Sequence, residues 1–240
     1  MPGTARTERP PPGSERFDEE AEILDRAGLA PALVERSLVE LARVNRWLLG
    51  HLPVRRTLLP RIAAGPREQR LLDVGTGSGD VAAGLARRAA RRGRRLAVVG
   101  VDRKLAHLVV GRRLGRRQLR VVGDARALPF RAGSVDWSLS TLFFHHFDAP
   151  TNRAILAEMR RVSIRGAVVV DLRASRWGRW LGRLLIPLLG VGPVTRHDGR
   201  VSLARAWRLP DVRRLTADLP VAEISKRHPF RFVLVLDGRR

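Results

Sequence analysis

The chain has 240 residues, with 46 Lys+Arg against 23 Asp+Glu, a formal net charge of +23, and neither cysteine nor tyrosine. Without cysteine there is no disulfide framework, all-cysteine zinc site or thiol nucleophile. Without tyrosine there is no dehydrogenase that moves its proton through a Tyr/Lys pair. A hydrophobic content of 44% is ordinary for a globular chain and the length allows one domain with a real core, so the charge does not stand for disorder.

In chain order, residues 1–16 are rich in proline, glycine and charge and are expected to be a disordered tail. No apolar run follows the initiator, so no secretion signal is expected and the location expected is cytoplasmic. Residues 17–60 are expected to form a helical cap, because Leu33, Val34, Leu38, Leu41, Val44 and Leu48 recur at helical spacing. From residue 61 onwards short apolar runs at 71–74, 96–101, 119–122, 135–139 and 167–170 alternate with helical patterns at 81–90, 105–114 and 154–162. Strand and helix in repeated alternation predict an α/β fold with a doubly wound parallel sheet. Asp148 followed by Pro150 is a start signal for the helix beyond it. Residues 175–209 interrupt the alternation with an apolar run divided by Arg179 and Arg183 and broken at Pro187. That run is too short to span a bilayer, and it is read as a lid insertion. A short helix at 210–219 and two strands at 221–225 and 230–236 complete the order.

The first strand runs into Gly75, Gly77 and Gly79, with Asp80 opening the next helix. Glycines there permit a tight turn and close backbone approach to a ligand. Asp73 and Asp80 flank the loop and would repel a pyrophosphate, whereas they attract an amino group and a sulfonium. The chemistry points to S-adenosylmethionine rather than a nicotinamide dinucleotide. Asp102, at the end of the second strand, stands where a carboxylate can accept from both ribose hydroxyls. Asp124 at the third strand tip can accept from the adenine amino group, while the Ala125 N–H reaches the ring. Thr76, Arg103 and Ser140, beside these strand ends, complete the expected cofactor set. Asp80 is also readable as a simple helix cap.

The ordered set LDVGTGSGD, VDRK and GDARALPFRAGSVDWSLS resembles the class I S-adenosylmethionine-dependent methyltransferases, and within them the small-molecule branch of ubiquinone and menaquinone biosynthesis. Residues 69–172 carry the resemblance. A looser one, through LVERSLVELARVNRWLL and HDGRVSLARAW, is to methyltransferases found beside bacterial polyketide synthases. The resemblance implies a Rossmann-like seven-stranded sheet with the last strand antiparallel. It also implies that Asp73 and the three glycines surround the methionine end, with Asp102 at the ribose and Asp124 and Ala125 at the adenine.

Methyl transfer needs a base only where the acceptor must lose a proton, as a phenol does. His145 and His146, after the fourth strand, are the base candidates; His197 beside Asp198 is a second, which also reads as a polar turn ordering the lid. No metal is expected, since spacing brings the histidines no third ligand. Phe143, Phe144 and Phe147, with Trp177 and Trp180 of the lid, predict an apolar acceptor such as a phenol, quinone or polyketide product. The charge is uneven: residues 85–120 hold thirteen basic residues against one acid, and residues 1–40 five arginines against nine acids. The basic stretch raises a nucleic-acid methyltransferase as the alternative, or docking to a membrane surface or an acidic carrier. Against nucleic acid, the stretch holds no aromatic for base stacking, and STLFFHHF lacks the proline-rich motif of adenine methylation. An arginine-rich coding bias accounts for the charge without any partner.

Overall fold

A computed structural model describes residues 22–26, 28–178, 180, 186–227 and 230–238. The expected tail at 1–16, the start of the cap and residues 179 and 181–185 of the expected lid lie outside the described residues. The described residues open with a 3-10 turn at Ile23–Asp25, then α1 (Pro31–Trp47) and α2 (His51–Ala63). The alternation follows: β1 (Glu68–Val74), α3 (Asp80–Ala90), β2 (Arg95–Asp102), α4 (Leu105–Arg113), β3 (Leu119–Val122), β4 (Val135–Thr141), α5 (Ala149–Val162) and β5 (Ser163–Leu172). Beyond it lie α6 (Pro193–Ala204), α7 (Leu209–Leu215), β6 (Val221–Arg227) and β7 (Arg231–Asp237).

The seven described strands form one sheet in the order β3-β2-β1-β4-β5-β7-β6. β7 alone runs against its neighbours, pairing antiparallel with β5 and β6. This is the Rossmann-like sheet expected from the alternating pattern. Central parallel strands read as continuous apolar runs because both faces are covered, and β5 shows how. Val168 and Val170 enter a core with α2 and α3, whereas Ala167 and Val169 enter the opposite core with α5, α7 and Trp207. The strand order reverses between β2-β1 and β4, which opens a crevice at the carboxyl ends of those strands.

Two elements depart from the expected outline. The boundary expected at residue 60 falls inside α2, whose Val54, Leu58 and Ile62 are buried against Leu71, Leu139 and Val168 of the sheet. Only α1 stands apart as a cover, meeting α4 through Val34, Leu38 and Val110. The last short helix ends at Leu215, earlier than the periodicity suggested. α5 begins as its signal predicted, with the Asp148 carboxylate accepting from the Thr151 N–H at 2.9 Å.

Candidate functional site

The crevice holds a cavity of about 650 Å³, lined from the β1–α3 loop, the ends of β2 to β5, α1, α6 and the Ile23–Asp25 turn. The loop is shaped by its glycines. Gly75, Gly77 and Gly79 have φ of 69°, 53° and 78°, a region that costs a side-chain-bearing residue about 1–2 kcal/mol. A Cβ on Gly75 would lie 2.4 Å from the Phe143 ring, whereas a Cβ on Gly77 would meet open space. Bare backbone thus faces the cavity at Gly77. The loop is fixed from behind by the Thr76 N–H donating to Val101 O at 2.9 Å and the Thr76 hydroxyl donating to Asp73 at 2.6 Å.

The expected cofactor residues divide into two groups. Gly75, Thr76, Gly77, Asp80, Asp102, Arg103, Asp124 and Ala125 line the cavity. Asp73, Gly79 and Ser140 are not among its lining residues. The Ser140 hydroxyl donates to Val74 O at 3.0 Å and joins β4 to β1, and Gly79 caps α3. Asp73 is buried behind the loop with its Oδ1 unpartnered. Burial, with the charges of Asp80 and Asp102, pushes its carboxyl up to about 7 despite the bond from Thr76. Asp80 is not the cap of α3; its carboxylate stands 3.5 Å from His51 Nε2.

Asp102 is the most engaged of the four acids. Its oxygens accept from the N–H of Gly77 and of Lys104, each at 2.9 Å, with His107 Nδ1 at 3.4 Å. Burial alone would raise this carboxyl, but His107 and the two backbone donors hold it below its ordinary value. Asp124 lies in the fork of Arg126, which holds it down at about 2. These residues fit a cationic adenosyl cofactor: three carboxylates surround the loop, a buried acceptor is unsatisfied, and the cavity-facing backbone at Gly77 is bare.

At the other end of the cavity, β4 leads to His145 and His146. His145 is buried, with Nδ1 on Asp171 at 2.7 Å. Burial would lower its imidazole, yet Asp171 and Glu22 push it up to about 10. His146 is the more accessible, with Nδ1 on Asp25 at 2.8 Å. His197 does not line the cavity among the described residues; it sits 3.0 Å from Asp198. Asp198 in turn accepts from the N–H groups of Ile23 and Leu24 at 2.7 and 3.0 Å, so this polar pair orders the N-terminal turn. Phe143 and Phe147 face the cavity, while Phe144 belongs to the core. Trp177 and Trp180, expected on the inner side of the lid, are exposed.

Sequence reasoning missed Glu22, Asp25, His107, Asp171 and Arg231, all at the site or behind it. A signal existed for the first two, since the acids of this chain gather in residues 1–40. Arg231, on β7, is buried beside the cavity, and burial pulls its guanidinium down to about 10 against the charge of Asp171.

Residues 72–170 match the family model described as a methyltransferase domain. That stretch is therefore similar to a methyltransferase domain, and it lies on the sheet β3-β2-β1-β4-β5-β7-β6 described above. Over 118 residues the chain is 31% identical to a demethylmenaquinone methyltransferase of Thermotoga maritima. That stretch is 48% of this chain and 49% of the relative, so the chain spans about half the length of the curated protein it matches. Among solved structures, an S-adenosylmethionine-dependent methyltransferase of Aquifex aeolicus superposes with a TM-score of 0.58 at 16% identity, covering 87% of this chain and 98% of that one. A magnesium protoporphyrin IX methyltransferase of Synechocystis with bound S-adenosylhomocysteine gives 0.55 at 16% identity, covering 95% and 96%. At such identity these two carry the fold of the methyltransferase domain and nothing finer. Among the described residues no helix is long and apolar enough to cross a membrane.

Proposed function

We propose that the chain transfers the methyl group of S-adenosylmethionine to an apolar small molecule with a nucleophilic oxygen or carbon, of the phenol, quinone or polyketide class. The observation that carries this reading is the continuity of the cavity. One space runs from the glycine loop to a wall built of Leu38, Leu41, Leu48, Phe143, Phe147 and Ile155. A volume of about 650 Å³ suits a drug-sized ligand, and such pockets are mostly apolar with few polar groups. Two similar proteins, named above, take their names from demethylmenaquinone and magnesium protoporphyrin IX.

The cofactor supplies an electrophilic methyl on sulfur. The chain aligns the two reactants and excludes water, which by itself lowers a barrier by about 7–11 kcal/mol. Asp102 would hold the ribose hydroxyls, and Asp124 with Ala125 would receive the adenine. Asp73 acts from behind by fixing Thr76. Residues of α1 and α6 close the acceptor end as the lid.

Tritiated-methyl transfer to a panel of phenols, quinones and alkylresorcinols is the direct test. Transfer to at least one class supports the reading; transfer only to RNA overturns it.

A further inference from the structure

We propose that Glu22, His145 and His146 form a site for one divalent transition cation of the zinc class, on the acceptor wall of the cavity. The inference rests on the methyltransferase reading above and deepens it by naming how the acceptor is activated.

The geometry converges on one point. His145 Nε2 stands 3.6 Å from Glu22 Oε1, and His146 Nε2 stands 3.8 Å from Glu22 Oε2. One ligand atom from each of the three residues lies within 4.8 Å of the other two. These separations are too long for strong hydrogen bonds. They lie close to the roughly 3.3–3.6 Å that separates ligand atoms about 2.0–2.2 Å from a shared tetrahedral zinc, so a small inward movement of the side chains would bring them onto one ion.

Both rings are also prepared as ligands. A metal-binding histidine usually donates its other ring N–H to a carboxylate, which fixes the tautomer and raises the basicity of the ligating nitrogen. Here both do so: His145 Nδ1 to Asp171 at 2.7 Å and His146 Nδ1 to Asp25 at 2.8 Å. Each carboxylate is itself anchored. Asp171 accepts from the N–H groups of Phe143 and Phe144 at 2.8 and 2.7 Å. Asp25 is bridged by Lys104 at 3.0 Å, and Glu22 accepts from the Ser202 hydroxyl at 2.6 Å. The two imidazoles lie 4.4 Å apart between centroids.

Two imidazoles and one carboxylate suit zinc, cobalt, nickel or iron(II) better than magnesium or calcium, which prefer oxygen ligands. All three residues line the cavity, so a coordination position stays open toward an acceptor oxygen, as in catalytic metal sites. Bound there, a phenolic hydroxyl loses its proton to water at neutral pH. The oxygen then forms its bond to the methyl carbon as the carbon–sulfur bond breaks. The electron pair of that bond stays on sulfur, leaving a neutral thioether. His145 and His146 act as ligands, not as bases.

The test uses the full chain, stripped with chelator, and titrates zinc by calorimetry, cobalt(II) by visible absorption and S-adenosylmethionine separately. The site predicts one zinc per chain, a four- or five-coordinate cobalt spectrum and no comparable uptake of magnesium. Glu22→Gln and His146→Ala should each weaken zinc binding at least 10-fold with S-adenosylmethionine affinity unchanged. Asp25→Asn should weaken it by a smaller factor. These variants keep the test open should the buried His145→Ala fail to fold. A wild-type chain that binds S-adenosylmethionine but neither zinc nor cobalt overturns the metal site and leaves the methyltransferase reading standing. Zinc affinity unchanged in Glu22→Gln and His146→Ala overturns it too. Failure to bind S-adenosylmethionine counts against the reading of the proposed function instead.

Discussion

Gly75 and Gly77 share a left-handed backbone but differ in what lies beside them, and their alanine variants should therefore fail differently. Gly75→Ala meets the Phe143 ring at 2.4 Å, so overpacking of about 1–3 kcal/mol adds to the backbone strain and the melting temperature should drop. Gly77→Ala meets open space and costs only the strain, about 1–2 kcal/mol. It should nevertheless abolish S-adenosylmethionine binding by filling the face the cofactor needs. Thermal melts paired with calorimetry separate the two, and equal effects on both readouts would refute the distinction. At Asp102, removal of the carboxylate (Asp102→Ala) should weaken the cofactor about 10–100-fold, the value of hydrogen bonds to a charged group; unchanged calorimetric affinity would refute the ribose assignment. Asp73 titrates in a readable window. Its folded-state value of about 7 lies above that of an unfolded aspartate, about 3.9. Between the two the folded chain holds a proton that the unfolded chain has lost, so stability falls as pH rises from about 4 to about 7. Denaturant titrations at stepped pH should show this slope in the wild type and lose it in Asp73→Asn.

Among the elements, the pairing of α6 with the Ile23–Asp25 turn matters most for the site. That turn brings Glu22 and Asp25 to the histidines, and it is short, with its backbone held by Asp198 from α6. Removing a buried acceptor leaves both N–H groups unsatisfied at about 1–3 kcal/mol each. Asp198→Ala should therefore speed amide exchange at residues 23 and 24 while β1, β4 and β5 stay protected; uniform protection across variant and wild type would show that the turn is held elsewhere. α2 carries a different lesson. Residues 51–60 were expected to belong to a helical cap, but the packing of Leu58 and Ile62 onto the sheet itself was not expected, because a helical pattern reports a buried face without naming what buries it.

For the whole molecule, part of the basic stretch is engaged within the chain. Within residues 85–120, Arg94 donates to Gly65 O at 3.0 Å, and Arg95 and Arg113 pair with Glu68 and Glu35. Arg120 donates to the carbonyl of Gln118 at 3.0 Å. We expect any RNA retention in gel shifts to fade between low and physiological salt, as phosphate contacts without base stacking do; retention that survives would revive the nucleic-acid alternative.

The doubly wound sheet was readable because parallel strands covered on both faces are written as short, unbroken apolar runs, and the glycine loop because φ > 0 restricts the residue type locally. Asp102 and Asp124, which both line the cavity, were legible as acids at or just beyond strand ends. The acceptor side was not. His146 and Asp25 are 121 positions apart, and no local pattern encodes a carboxylate that arrives from a different element. Local backbone chemistry thus determined the sheet and its cofactor loop from sequence. The clustering of Glu22, Asp25 and Asp171 around two histidines was decided only by tertiary packing, because it depends on which distant segment covers the open end of the sheet.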